Sequence, residues 1–444
     1  MHRLSYHSSM QDLGSGSGTV SSWPLSYSEE KSWREFRADR EVFFKRGSLL
    51  AVALDDTVDD RLLRHLVDTV TARHEILRTA YDTVNSGGSR HVLPSYEHEI
   101  RVVDKPLYPV DGLYENHVMP EDLVRVFLAP DPDGPGRKLY FDMNEMITDT
   151  GSTARLSTEV NQILGHEPGP LGPPPDVTYA QFAVEQRNEP LPHATLEFWK
   201  NTLDGMRAAG GIPDEGPDPS GDDAGERVLV LPDEGTAAFR AYCRRHRMSS
   251  FMAVGGLVNI ALSAIWGIED ITLATAASTR PAKYNSVLGN FANNVLLRSR
   301  VTRSTTLAEA AEAGRTTVLQ ALRHPVQLLK VAETVGGLDV PPIRIHYLPN
   351  NAHYYKMLDS KPSGASWREP AEFPGWPLEV GFAEDSRKRV AIWMQYDPRR
   401  FHHARVEELM WCLRELLVVA CVNGDESADA GWLADRMVGR EHLD

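Results

Sequence analysis

The stretch from Gly205 to Glu226, which ends in GGIPDEGPDPSGDDAGE, constrains the fold more than any other part of the chain. Glycine loses the most conformational freedom on folding, proline lacks an amide donor, and aspartate competes for backbone hydrogen bonds. Neither a helix nor a strand is expected to run through it. It predicts a solvent-facing linker over 205–227, between an N-terminal lobe at 23–204 and a C-terminal lobe at 228–444. A length of 444 residues accommodates two hydrophobic cores. Ahead of both lobes, residues 1–22 contain the Gly/Ser-rich run Gly14–Ser22 and read as a flexible lead-in.

Strand and helix patterns follow one another on each side of that break. Leu49–Leu54 reads as a strand. A helix starts near Thr57, with Thr57 and Asp60 as its capping pattern, and Leu62, Leu63, Leu66, Val67 and Val70 carry the helical spacing to about Tyr81. Leu123–Ala129 and Lys138–Met143 flank the turn residues Asp131–Gly136, a hairpin signal, and Gly151–Leu164 reads as a helix. After the break come strands at Val228–Leu231, Ile271–Thr275, Val295–Val301, Ile343–Leu348, Leu378–Phe382 and Val390–Gln395. Helices are expected at Thr236–Arg247, Ser249–Trp266, Leu307–Leu322 and Ala404–Val422. The fold class is therefore α/β (α+β), with a mixed sheet in each half.

Composition removes several function classes. Lys plus Arg is 47 against 62 for Asp plus Glu, a net charge of −15 with no long basic block, which argues against nucleic acid as a partner. Cys243, Cys412 and Cys421 are too few and too scattered for a disulfide framework or a zinc cluster and read as small buried apolar residues. The N-terminus has no signal-peptide pattern, and the apolar run Phe251–Gly267 is short for a span and reads as a buried helix. A cytoplasmic protein without a membrane segment is expected. GxSxG, Walker A, HExxH and EF-hand patterns are absent, and Gly14, Gly16 and Gly18 follow no strand. His402 and His403 have no third ligand near in sequence, so they read as a surface pair and no metal is expected.

What stands out is a series of phrases in fixed order: RHEILRT at Arg73–Thr79, YAQFAVEQ at Tyr179–Gln186 followed by Phe198-Trp199 and Leu203, GNFANNVLLR at Gly289–Arg298, and HPVQLL at His324–Leu329. This series resembles the condensation domains of nonribosomal peptide synthetases, over about Trp23–Val422. The resemblance implies a chloramphenicol acetyltransferase-like fold, two lobes in a V with a tunnel between them. In that family donor and acceptor enter the tunnel from opposite faces, each on the phosphopantetheine arm of a carrier protein. The implied partners are carrier protein domains of a synthetase, with no cofactor of the chain's own. RHEILRT is mainly structural in relatives, with Arg78 tying the helix end to neighbouring segments.

The family's catalytic phrase, HHxxxDG, aligns with Asn144–Thr150, so Asn144 and Glu145 stand in place of the two histidines and Thr150 in place of the glycine. Glu145 is the possible base, with Asn144 beside it. An unperturbed glutamate, at about pKa 4.3, is a weak base unless burial raises it. A base is typically worth about 10²–10⁴-fold, while orienting two tethered reactants can supply more. The resemblance further implies that Asp149 pairs with Arg280, of Ser278-Thr-Arg-Pro281, from the second lobe, holding the loop that bears 144 and 145 in shape. Thr150, Gly151, Ser152, Asn293 and Asn294 fall at tunnel or substrate positions, the two asparagines serving equally as strand-edge amides.

Two readings follow. One is an acyltransferase that joins a carrier-bound acyl group to an amine or hydroxyl, with Glu145 or positioning in place of the histidine base. The other is a free-standing, non-catalytic module of antibiotic or secondary-metabolite assembly that binds carriers, as degenerate relatives do when they recruit a tailoring oxygenase. Loss of both histidines favours the second. Arg244-Arg245-His246-Arg247 offers a local basic patch for an acidic carrier. Whether the chain is an enzyme stays open at this level.

Overall fold

The computed structural model describes residues 21–441 apart from 39, 41–42, 44–46, 82–87, 104–122, 132–134, 214, 219–224, 336, 338–340, 349–375 and 386. The lead-in at 1–20 lies outside the described residues, and Ser21–Trp23 already forms a strand. The chain forms two compact units, Met1–Pro190 with Ser278–Asn293, and Leu191–Ala277 with Asn294–Asp444.

This division departs from the expected one in two places. The helix His193–Leu203 sends Trp199 and Leu203 into the core of the second unit, and Trp199 Nε1 donates to His324 O at 2.9 Å. The composition break is therefore not where the cores part. Its described residues are not all solvent-facing: Ile212 is buried in that same core, and Glu215 accepts from His402 N at 3.1 Å. Conversely Tyr284, Val287, Leu288 and Phe291 are buried in the core of the first unit. Arg280, expected from the second lobe, lies on this returning segment and belongs to the first unit.

Among the described residues the first unit holds the strands β1 Ser21–Trp23, β2 Gly47–Leu54, β3 Thr79–Tyr81, β4 Arg90–Val92, β5 Ile100–Val102, β6 Val124–Pro130 and β7 Arg137–Asn144. They form a three-stranded sheet, β1-β4-β3, and a four-stranded sheet, β2-β7-β6-β5. The β6–β7 hairpin is antiparallel, with Val126 opposite Phe141, and β2 adds antiparallel to β7, with Leu50 opposite Phe141. Its helices are α1 Tyr27–Ala38, α2 Asp60–Arg73, α3 Thr150–Ile163 and α4 Tyr179–Asn188. The apolar stripe of α2 (Leu63, Leu66, Val67, Val70) is buried in one cluster with Leu50, Val52, Leu54 and Phe141 of the sheet.

Helix α2 starts and stops differently from its sequence pattern. Its cap is Asp59, which accepts from Leu62 N at 2.8 Å, while Thr57 is drawn into a turn by Asp55, whose Oδ1 accepts Thr57 N at 3.0 Å. The helix ends at Arg73 because His74 turns extended and commits its Nε2 to Glu159 Oε2 at 2.7 Å. A 3-10 turn, Glu75–Arg78, then leads into β3. Burial alone would raise Glu159, but His74 and Arg73 draw its carboxyl below the usual range.

The second unit holds β8 Glu226–Val230, β9 Asp270–Ser278, β10 Ala292–Arg300, β11 Ile343–Leu348, β12 Leu378–Glu384 and β13 Val390–Tyr396. They form one sheet in the order β10-β9-β11-β12-β13-β8, with β9, β11 and β12 parallel and β13 antiparallel to both β12 and β8. Its helices are α5 His193–Leu203, α6 Asp233–Arg245, α7 Ser250–Trp266, α8 Leu307–Arg323, α9 Leu328–Val335, α10 His403–Leu417 and α11 Ala430–Glu441. Ile343, Ile345, Val380, Phe382, Ile392 and Met394 alternate along three strands into the core shared with α7. Arg344, Glu379 and Trp393 take the other parity. Burial would raise Glu379, but Arg344 and His346 bring its carboxyl down to about 2.

Helix α7 is buried at every residue from Ala253 to Ser263, and among the described residues no single helix is long and apolar enough to cross a membrane. The three cysteines are free and buried. Among the described residues no group of His, Cys, Asp and Glu could hold a metal. His402 stands at the N-cap of α10, and His403, 28% exposed, sets its ring against Tyr396 OH at 2.9 Å and Arg227 Nη2 at 2.6 Å.

Candidate functional site

Strand β7 ends at Asn144, and the chain must then turn into α3 within five residues. Asn144 makes that turn. Its Oδ1 accepts Met146 N at 2.8 Å, its Nδ2 donates to Phe43 O at 2.9 Å, and its backbone carbonyl accepts Ile147 N at 3.1 Å. The residue is buried, and Met146, Ile147 and Thr148 behind it are buried too. One hydrogen bond at each end of the amide is thus used to hold the turn, and an amide has no basic site to take up a proton.

Glu145 alone points outward from this turn. Its side chain is 39% exposed, with Lys31 Nζ of α1 3.8 Å from Oε1. Its carbonyl accepts Asn290 Nδ2 at 2.7 Å, and Asn290 Oδ1 in turn accepts Ala292 N at 3.0 Å. The loop is therefore held from the returning segment as well as from within. A carboxylate becomes a strong base through desolvation, and this one is partly exposed with an ammonium group beside it.

Asp149 closes the turn and caps α3. Its Oδ1 accepts Ser152 N at 2.7 Å and Arg280 Nη2 at 3.0 Å, while Oδ2 accepts Phe291 N at 2.9 Å. Arg280 also donates through Nη2 to Ser152 Oγ at 2.7 Å and through Nη1 to Tyr284 O at 3.1 Å and to Val287 O. Its guanidinium lies 3.7 Å above the Phe291 ring. Burial pulls Arg280 below its ordinary value, and Asp149 opposes that pull.

Of the other expected site residues, Ser152 joins this cluster directly. Ser152 is buried with its hydroxyl saturated: Oγ donates to Gly289 O at 2.6 Å and accepts Gly289 N at 3.0 Å besides Arg280. Thr150 and Gly151 are exposed on the first turn of α3. Asn293 is buried and Asn294 half-buried, and as neighbours on β10 they point to opposite faces of the strand.

Three residues complete this arrangement that the sequence did not single out for it. Tyr179, at the start of α4, sends its phenol between the loop before α1 and the returning segment, donating to Asn290 O at 2.5 Å and meeting Ser26 Oγ at 2.9 Å. Its ring lies against Gly289, where a Cβ would stand 2.1 Å from Tyr179 Cδ2. Asn290 and Lys31 are the other two. Tyr179, Gly289 and Asn290 stood inside quoted phrases, so the phrases were a usable signal; Lys31 had none.

Residues 137–330 match the Condensation domain family. Cyclosporin synthetase of Tolypocladium inflatum is 26% identical over 307 residues, which is 64% of this chain and 2% of that protein. The chain spans 2%, 4% and 8% of the lengths of the first three curated relatives it matches. In fold it is similar to a four-domain holo nonribosomal peptide synthetase bound to AMP and glycine, with a TM-score of 0.78 at 14% identity, covering 93% of this chain and 34% of that one. It is likewise similar to the X-domain in the complex of that domain with OxyB from teicoplanin biosynthesis, with a TM-score of 0.72 at 18% identity, covering 94% and 96%. The chain is thus a condensation-domain-like protein, related by sequence and fold to the condensation domains of nonribosomal peptide synthetases.

Proposed function

We propose that this chain is a cytoplasmic module of nonribosomal peptide assembly that binds carrier-borne acyl or peptidyl thioesters without itself forming the amide bond. The observation that carries this reading is the state of the two positions aligned with the family's histidines. Asn144 is buried with its amide bonded to Phe43 O and Met146 N, and Glu145 is a partly exposed carboxylate with Lys31 Nζ 3.8 Å away. Neither is arranged to take a proton from an attacking amine. The scaffold around them is elaborate all the same: five hydrogen bonds join Asp149, Arg280 and Ser152 to one another and to Gly289 and Phe291 of the returning segment. A maintained framework around an inert turn fits binding better than chemistry.

On this reading the partners are carrier domains, whose phosphopantetheine arm arrives with the substrate, and a tailoring oxygenase, by analogy with the X-domain solved with OxyB. Arg244, exposed near the end of α6, belongs to the patch that would meet an acidic carrier. Calorimetry with a thioester-loaded carrier is expected to give a complex that weakens with salt, and R244E is expected to weaken it several-fold without changing the circular dichroism spectrum. No complex at low salt with any loaded carrier would overturn the proposal.

A further inference from the structure

The tight turn between β12 and β13 carries a residue that its backbone does not favour. Lys388 N donates to Asp385 O at 2.9 Å, Asp385 N donates to Arg389 O at 2.9 Å, and Lys388 sits in the left-handed region at φ 63°. Hairpin turns that need such a residue ordinarily place glycine there, because a Cβ is disfavoured in that conformation. The turn is firmly held all the same: the carboxylate of Asp385, 1% exposed, accepts Arg389 N and Arg389 Nε at 2.7 Å each. Arg387 and Lys388, at its tip, are exposed.

This turn lies along α6. Thr236 Oγ1 accepts Val390 N at 3.0 Å, and one helical turn further on Arg240 Nη2 donates to Lys388 O at 2.5 Å and to Glu384 Oε1 at 2.8 Å. The tip therefore runs toward Arg244, the next exposed residue on that stripe of the helix. Arg245 and His246 do not add to this surface, since both face Glu426, at 3.4 and 2.8 Å. Arg240, Arg244, Arg387 and Lys388 are thus gathered on a chain of net charge −15, while the nearby carboxylates Glu384 and Asp385 are only 16% and 1% exposed. Ala237 and Ala241, exposed on the same helix, leave room for close approach. We propose that α6 and the β12–β13 turn form one docking surface for a carrier domain, with Arg387 and Lys388 meeting its carboxylates beside Arg244. This rests on the carrier-binding reading above and adds to it the second element of the interface. Charge complementarity selects the occupant: this surface draws an acidic partner and repels a basic one. The held turn presents its two cations with little of the ordering cost that a mobile loop would incur.

The test measures affinity for a thioester-loaded carrier by calorimetry and melting by circular dichroism. Arg387→Glu is expected to weaken the complex about tenfold and to flatten its salt dependence, with the melting curve unchanged. Lys388→Gly removes a charge and relieves the backbone, so it is expected to melt at or above wild type while binding several-fold more weakly. A lysine with a purely structural role would not move stability and affinity in opposite directions. Arg61→Glu, at an exposed position of α2 in the first unit, is expected to leave the affinity unchanged. A complex that forms as tightly with Arg387→Glu and Lys388→Gly as with wild type would overturn this docking surface and leave the carrier-binding reading standing. So would an equal loss in Arg61→Glu, which would mark a general effect of charge. No complex with any loaded carrier at low salt would overturn both.

Discussion

Replacing Arg280 by alanine is expected to destabilise the first unit by about 3–5 kcal/mol, the cost typical of removing one partner from a buried ion pair. Arg280 and Asp149 are 11% and 8% exposed at their side chains, so solvent cannot step in for the lost guanidinium. The carboxylate would keep Ser152 N and Phe291 N, but its charge would be stranded. Carbonyls of Tyr284 and Val287 and the hydroxyl of Ser152 would each lose a donor, and Phe291 its cation. The readout is chemical denaturation followed by hydrogen exchange of the α3 amides. Removing both partners, in R280A/D149A, is expected to cost less than the two single changes summed, because no charge then remains buried. Additive costs, or an Arg280→Ala protein as stable as wild type, would refute the pair's structural role.

Gly289→Ala is expected to be comparably severe, though it deletes nothing. The added methyl would sit 2.1 Å from one ring carbon of Tyr179 and 2.4 Å from another. That ring is fully buried, and its phenol is fixed by Asn290 O and Ser26 Oγ. Burial also pushes the Tyr179 phenol well above its usual range, so it remains a donor at any working pH. Overpacking costs about 1–3 kcal/mol where neighbours can yield, and more where they cannot. Tyr179→Phe, which keeps the ring and drops one hydrogen bond, should cost only about 1 kcal/mol. If instead Gly289→Ala melts like wild type, segment 278–293 is not held as described.

Elements whose periodicity is strong and local were legible from the sequence. The β6–β7 strands, α3 and α7 fall within a residue or two of their hydrophobic patterns. Helix α1 was not legible, because its inward face mixes polar with apolar residues: Glu29 and Ser32 are buried along with Trp33 and Phe36, and Glu29 is balanced by the fully buried Arg90 and by Tyr81 OH at 2.6 Å. A helix whose burial depends on an arginine some sixty residues away has no local signature. Strands of three residues such as β3 and β4 are likewise too short to show a period. At the site, the identities of Asn144, Glu145, Asp149 and Arg280 were readable. What each amide or carboxylate faces was not, since Asn144 is occupied by Phe43, and Glu145 is held through Asn290.

The account stands on Glu145 not being a base, and the direct test is turnover. Donor-loaded carrier and an amine acceptor are mixed with wild type or with Glu145→Gln, which keeps the shape and removes the basicity, and product is followed by mass spectrometry. The account predicts no product above the protein-free control for either protein, while both still bind the loaded carrier. Product from wild type that falls by about 10²-fold or more in Glu145→Gln, with carrier binding unchanged, would contradict it.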